Sequence, residues 1–243
     1  MTTEPVQVPT TAPPHDLRAS IAAVLTDEAS LRSWTGVATD GIIATAGILE
    51  GFAGAGATDR ALLIAATAAT IAGMLAAGGM KWAEIDSERE AHVKAAADEG
   101  ASLEARPEAE LDELIAYYEA KGLSADLANE VAEQLTAHNA LAAQLESEHG
   151  ILRVITRMEA IVAGIGASIA YLIGAAIPLL ITIFVASDVE AWAILLAVAV
   201  SLVVTSVVGA RAGQMHMGRT VARTLVVGFG TLTISYLLGR LIF

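Results

Sequence analysis

Two carboxylates interrupt an otherwise apolar run early in the chain: Asp40 in TDGIIATAG, and Glu50 ten residues later in ILEG. An ionisable group inside a membrane-length apolar segment is costly, and it faces a partner or a water-filled path. Position alone leaves two readings of Asp40 open, a transport group or an interfacial charge snorkelling at a helix end. Glu50 falls about 15 Å along a helix from Asp40 and roughly 80° around it, so both can border one cavity. It is either a second relay carboxylate or a neutral group hydrogen-bonded between helices. The following apolar run closes on IAGMLAAGGMKWAE, which sets the thioethers of Met74 and Met80 and the ammonium of Lys81 near its end. Thioethers suit a path for soft metals, although methionine more commonly fills cores. In a hairpin turning near Thr58, Lys81 returns to the depth of Asp40, where an ion pair between them would compete with metal.

A second group of acids lies in residues 81–150, which hold 17 of the chain's 27 Asp and Glu but only 5 of its 14 Lys and Arg. That segment carries −12 of the formal −13. Glu84, Glu88, His92, Ala95 and Glu99 follow one another at near-helical spacing, Glu110 and Glu113 stand one turn apart, and Glu146 and Glu148 close the segment. Carboxylates held close together repel until a cation neutralises them, so acids converging from several helices make a site for hard divalent ions. Taken alone, such a run is more commonly a solvated face. Glu146-Ser-Glu-His149 contains one Glu-x-x-His, but a ferritin-like di-iron site needs that motif on two helices, and no second copy is present. Met215-His216-Met217 is a small soft-ligand cluster that reads as loop chemistry.

The elements that must position these residues are membrane helices. The chain of 243 residues is 55% hydrophobic with a mean hydropathy of +0.59, too apolar for a soluble acidic domain. Five apolar segments, near 35–57, 61–81, 158–186, 191–210 and 221–242, are each long enough to cross a bilayer of about 30 Å. Hairpins turn at GATDR and SDVE, and Trp34, Trp82 and Trp192 fall at segment ends as an interfacial belt does. With five spans, twelve of the fourteen bases share one side with the N-terminus, leaving Arg60 and Arg240 opposite, so the shared side is cytoplasmic. The polar segment 82–150 reads as three helices, with breaks at Gly100, Pro107, Gly122-Leu-Ser124 and Gly150, and its first helix continues the second span. Gly47/Gly51 and Gly166/Ala170/Gly174 are small-xxx-small patterns for close packing or dimerisation, and Pro178 should bend the third span. The expected organisation is a disordered Pro/Thr-rich tail over 1–16, an amphipathic helix with spans 1 and 2 over 17–81, a cytoplasmic acidic domain over 82–150, and spans 3 to 5 over 151–243. The fold class is an all-α membrane protein of five transmembrane helices, with the three-helix acidic domain inserted between helices 2 and 3.

DGIIATAGILEGFAGAG, SERE, PEAELDELIAYYEAKGLSADLANEVAEQL, EHGI and SYLLGRL occur here in one order. Through them the chain, over about residues 36–243, resembles the vacuolar iron transporter family of iron and manganese transporters. The resemblance implies a homodimer, a metal path between the two copies of the first span and its neighbour, exchange of metal for protons, and an acidic cytoplasmic domain that gathers ions. It makes Asp40 the transport carboxylate and Glu99, Glu110, Glu113 and Glu148 metal ligands. This sequence departs from the family at Glu50, usually apolar there, at Ala77 and Lys81, where relatives carry methionine and glutamate, and at Ser102 and Gln144, two further ligand positions. Those losses weaken the preference for softer metals and leave an oxygen-rich site suited to Fe2+ or Mn2+.

The expected function is proton-coupled export of Fe2+ or Mn2+ from the cytoplasm, the metal being cargo and no prosthetic group being implied. The alternative is a non-transporting membrane sensor or scaffold whose acidic domain docks a partner, an idea that the altered ligand set keeps open. No nucleophile with its base, phosphate loop or complete metal triad marks an enzyme. The acidic balance argues against nucleic acid, and the absence of cysteine excludes thiolate sites. The Ala-rich composition and the lack of a targeting segment lean toward a bacterial plasma membrane.

Overall fold

The computed structural model describes residues 28–184 and 190–242. The described residues form seven helices: α1 (Glu28–Gly54), α2 (Asp59–Ala105), α3 (Pro107–Ala120), α4 (Ala125–His149), α5 (Arg157–Phe184), α6 (Glu190–Ala212) and α7 (Met217–Ile242). The expected tail over 1–16, the amphipathic stretch near Leu17 to Leu25 and most of the SDVE turn lie outside the described residues. Four helices are long and apolar enough to cross a membrane, namely α2, α5, the part Trp192–Ala212 of α6, and α7. The helix expected as a fifth span, α1, has 27 residues and is amply long, but Asp40 and Glu50 dilute its apolar stretch.

The described residues divide into two compact units, Ala83–Ala160 on one hand and those up to Trp82 with those from Ile161 onward on the other. In the apolar unit, α1 packs against both α6 and α7. Its residues Ile42, Ala46 and Leu49 recur at helical spacing and meet Leu62 and Ala66 of α2, Ile194, Val198 and Leu202 of α6, and Leu232 of α7. On α5 the fit is closer still. A Cβ on Gly174 would overlap the carbonyl of Ala38, and one on Gly41 would overlap that of Tyr171, so the backbones of α1 and α5 touch beside Asp40. The small residues noted in the sequence are therefore used within the chain: Gly47 and Gly51 face Ser235 of α7, and Gly166 faces Trp34. Two pairs of hydroxyls meet between helices, buried Thr45 with Thr70 at 3.3 Å and part-buried Thr39 with Thr205 at 2.9 Å.

In the acidic unit the expected break at Gly100 does not occur: α2 runs through it to Ala105. One glycine costs a helix only about 1 kcal/mol, and its alanine-rich surroundings offset that. Pro107 then opens α3 at its first turn, where a missing N–H is no loss. The expected single helix over 125–149 is interrupted. Asn139 has extended backbone (φ −164°, ψ 90°), and its side-chain oxygen accepts from the N–H of Ala142 at 3.1 Å, restarting the helix as an N-cap would. Gly150 ends α4 in the left-handed region at φ 66°, and the N–H of Ile151 turns back to the carbonyl of Leu145 at 2.9 Å. Before α5, the Thr156 hydroxyl accepts from the N–H of Glu159 at 3.2 Å while Glu159 accepts from the N–H of Thr156 at 2.7 Å, a reciprocal capping box.

Candidate metal centre

A small core sets the acidic side chains. Ala96 of α2, Leu145 of α4 and Ile151 are buried together. Glu99 lies three residues beyond Ala96 and Glu148 three beyond Leu145, so each carboxylate leaves its helix on the face that the core already holds against the other. From α3, buried Glu110 is followed one turn later by buried Leu114, and Gln144 of α4 donates its amide to the main-chain carbonyl of Glu110. Gln144 thus ties α3 to α4.

Glu99, Glu110, Glu113 and Glu148 consequently converge from three helices. One ligand oxygen from each of Glu110, Glu113 and Glu148 lies within 4.8 Å of the others. So do atoms of Glu99, Glu148 and His149. Glu110 is 2% exposed and Glu99 6%, whereas Glu113, Glu148 and His149 are exposed. Burial first, then the charges of Glu99 and Glu113 and a hydrogen bond with Glu99, hold the Glu110 carboxyl above its ordinary range, and Arg106, 3.1 Å away, pulls the other way. Lost hydration and then Glu99, Glu113 and Glu110 push Glu148 up as well. Glu99 Oε1 is buried without a hydrogen-bond donor among the described residues. Two carboxyls share such a space only with a proton or a cation between them.

His149, whose Glu-x-x-His motif reads in the sequence as coincidence, is a ligand-type residue of this cluster. Its Nε2 lies 3.6 Å from Glu99 Oε2. The Glu-x-x-His spacing was the available signal, but read as half of a di-iron motif it pointed to a site the chain cannot complete. The pairing that matters is between His149 and an acid fifty residues earlier. Ser102 lies on α2 one turn beyond Glu99 and belongs to neither triad.

The other candidates belong to the apolar unit. Asp40 is exposed on the single chain, on α1 beside the Gly41 contact with α5, and within electrostatic reach of Tyr171. Lys81 follows Met80 on α2. Glu50 is half-buried between Gly47 and Gly51, the positions that face α7. Met74 is half-buried and its carbonyl accepts from Ser168 of α5 at 3.1 Å. Met80 is 70% exposed on the single chain, which removes it from the core-filling reading.

Residues 31–240 match the VIT family. The chain is also 30% identical over 182 residues to a vacuolar iron transporter of Acanthamoeba castellanii, a stretch that covers 71% of this chain and 69% of the relative.

Proposed function

The chain belongs to the VIT family, and on that premise we propose that it exports Fe2+ or Mn2+ from the cytoplasm in exchange for protons. It is an integral membrane protein and a transporter of metal, not an enzyme. The observation that carries the finer reading is the convergence of Glu99, Glu110, Glu113 and Glu148, with two carboxyls held above their ordinary range. A cation relieves that repulsion, and an oxygen-only set favours hard or borderline divalent ions.

On this reading the acidic unit faces the cytoplasm, gathers the ion and raises its local concentration at the path. Asp40 is the transport carboxylate of α1, which acts as the fifth span. Its exposure on the single chain supports this role, because a bare carboxylate toward lipid is costly and a second copy would cover it. Metal and proton compete for one carboxylate, so each displaces the other, which is the simplest coupling these residues offer. Glu50, Met74, Met80 and Lys81 line or tune the same path. The twelve-to-two distribution of bases supports a cytoplasmic acidic unit.

Proteoliposomes carrying a trapped Mn2+ indicator and a pH dye test the proposal. Mn2+ entry with proton counter-movement in the native protein, and neither in Asp40→Asn, is the expected result. Metal flux without proton movement overturns the coupling. Binding of Mn2+ with no flux in the native protein favours the sensor or scaffold.

A further inference from the structure

We propose that His149, with Glu99 and Glu148, forms a mixed nitrogen–oxygen pocket that selects borderline cations of the Zn(II), Co(II) and Fe(II) class, beside an all-oxygen pocket of Glu110, Glu113 and Glu148. The inference rests on the reading of the acidic unit as metal-binding. It goes beyond that reading by dividing the acids into two pockets of different chemistry and by giving a role to an imidazole.

Three observations carry it. The ligand atoms of Glu99, Glu148 and His149 lie within 4.8 Å of one another. His149 Nε2 and Glu99 Oε2 are 3.6 Å apart, too long for a good hydrogen bond but close to the separation of about 3.0–3.4 Å that two ligands take around one ion at about 2.1 Å from each. Glu99 Oε1 is buried without a donor, in a residue 6% exposed, so a buried carboxylate is left with acceptor capacity that no protein group satisfies. The local fold aims the imidazole. The restart at Asn139 sets the direction of the last turns of α4, and the left-handed Gly150 stops the helix immediately after His149.

The chemistry separates the pockets. A neutral imidazole is a good ligand for zinc, cobalt and iron, whereas carboxylate-only sets suit Mg2+, Ca2+ and Mn2+. The imidazole thus restores part of the selectivity that a set of hard oxygens lacks. Glu148 is common to both pockets, and its two oxygens allow it to serve each.

The full-length protein in detergent is titrated separately with Zn(II) and with Mn(II), native and as His149→Gln. The variant should lose about tenfold or more in Zn(II) affinity and less than about threefold in Mn(II) affinity. With one equivalent of Cu(II) as probe, pulsed EPR should show the nitrogen modulation of a coordinated imidazole in the native protein, weakened in the variant, a signature that a purely structural histidine would not give. Equal loss for both metals, or unchanged Zn(II) affinity with an unchanged nitrogen signal, overturns the pocket while leaving metal binding by the unit intact. A native protein that binds neither metal overturns the underlying reading as well.

Discussion

Glu110 sits almost without water beside two other acids, so its charge opposes folding when no metal is present. Its folded carboxyl holds a proton more tightly than the unfolded one, and stability therefore falls as pH rises through and above the ordinary carboxylate range. Glu110→Gln removes the charge and keeps the shape. It gives up an ion pair with Arg106, which is 59% exposed and worth little. At pH 7.5 the metal-free variant should melt above the native protein, and the gap should close as pH is lowered toward 4.5. Mn2+ should raise the melting temperature of the native protein and not of the variant. A variant that melts lower at pH 7.5 would show that the Arg106 bond outweighs the crowding. Asp40 calls for the opposite experiment, since its function should be separable from the acidic unit. Asp40→Asn should reduce the initial rate of Mn2+ transport by at least about tenfold, on the order of 1.4 kcal/mol in barrier, while equilibrium Mn2+ binding stays unchanged. Loss of binding together with transport would show a folding defect in place of a path residue.

Helices α2 and α4 show how far the sequence could be read. The acids Glu99, Glu110, Glu113 and Glu148 were legible through the family pattern, and the helices that carry them through Pro107, Ser124 and Gly150, which are local signals with local causes. Gly100 misled because a glycine marks a helix end only when the chain beyond it turns, and here Ala101–Ala105 continues the helix. Asn139 was missed for the converse reason: an N-cap residue inside a long helical pattern announces a restart only once its side chain is seen to take the N–H of Ala142. The break at Asn139 is predicted to be functional. Asn139→Ala removes the cap, at a cost of about 1 kcal/mol, and favours one straight helix that turns Gln144, Glu148 and His149 away from α2 and α3. Metal affinity should fall while circular dichroism keeps or gains helix. Unchanged affinity would mean that the Leu145–Ile151 core alone holds the site. In the apolar unit, Gly174→Leu must part α5 from the Ala38 carbonyl and should destabilise by about 1–3 kcal/mol, read as a lower melting temperature in detergent.

At the scale of the whole molecule, the single chain leaves a carboxylate of an apolar helix, Asp40, uncovered. α1 buries Ile42, Ala46 and Leu49 against its own bundle, yet Asp40 is exposed beside the Gly41 contact. In lipid that arrangement is unfavourable for a monomer and natural for two copies meeting about a two-fold axis, each shielding the carboxylate of the other. A dimer with the acidic units on the cytoplasmic side makes two separable predictions, and a chain without cysteine lets both be read cleanly from introduced thiols. Asp126→Cys, at the exposed start of α4, should react with a membrane-impermeant maleimide only after cells are opened. Labelling in intact cells would reverse the orientation that the bases imply. Gly36→Cys, on α1 one turn before Asp40 and with open space around its Cα, should form a disulfide-linked dimer under mild oxidation in membranes if the two copies of α1 face each other. Cross-linking that depends on α1 and is absent from an equivalent cysteine at Ile165 of α5, also exposed on the single chain, would identify the interface. Equal cross-linking at both would mark random collision, and none at Gly36 would remove the shared path that the transport proposal requires.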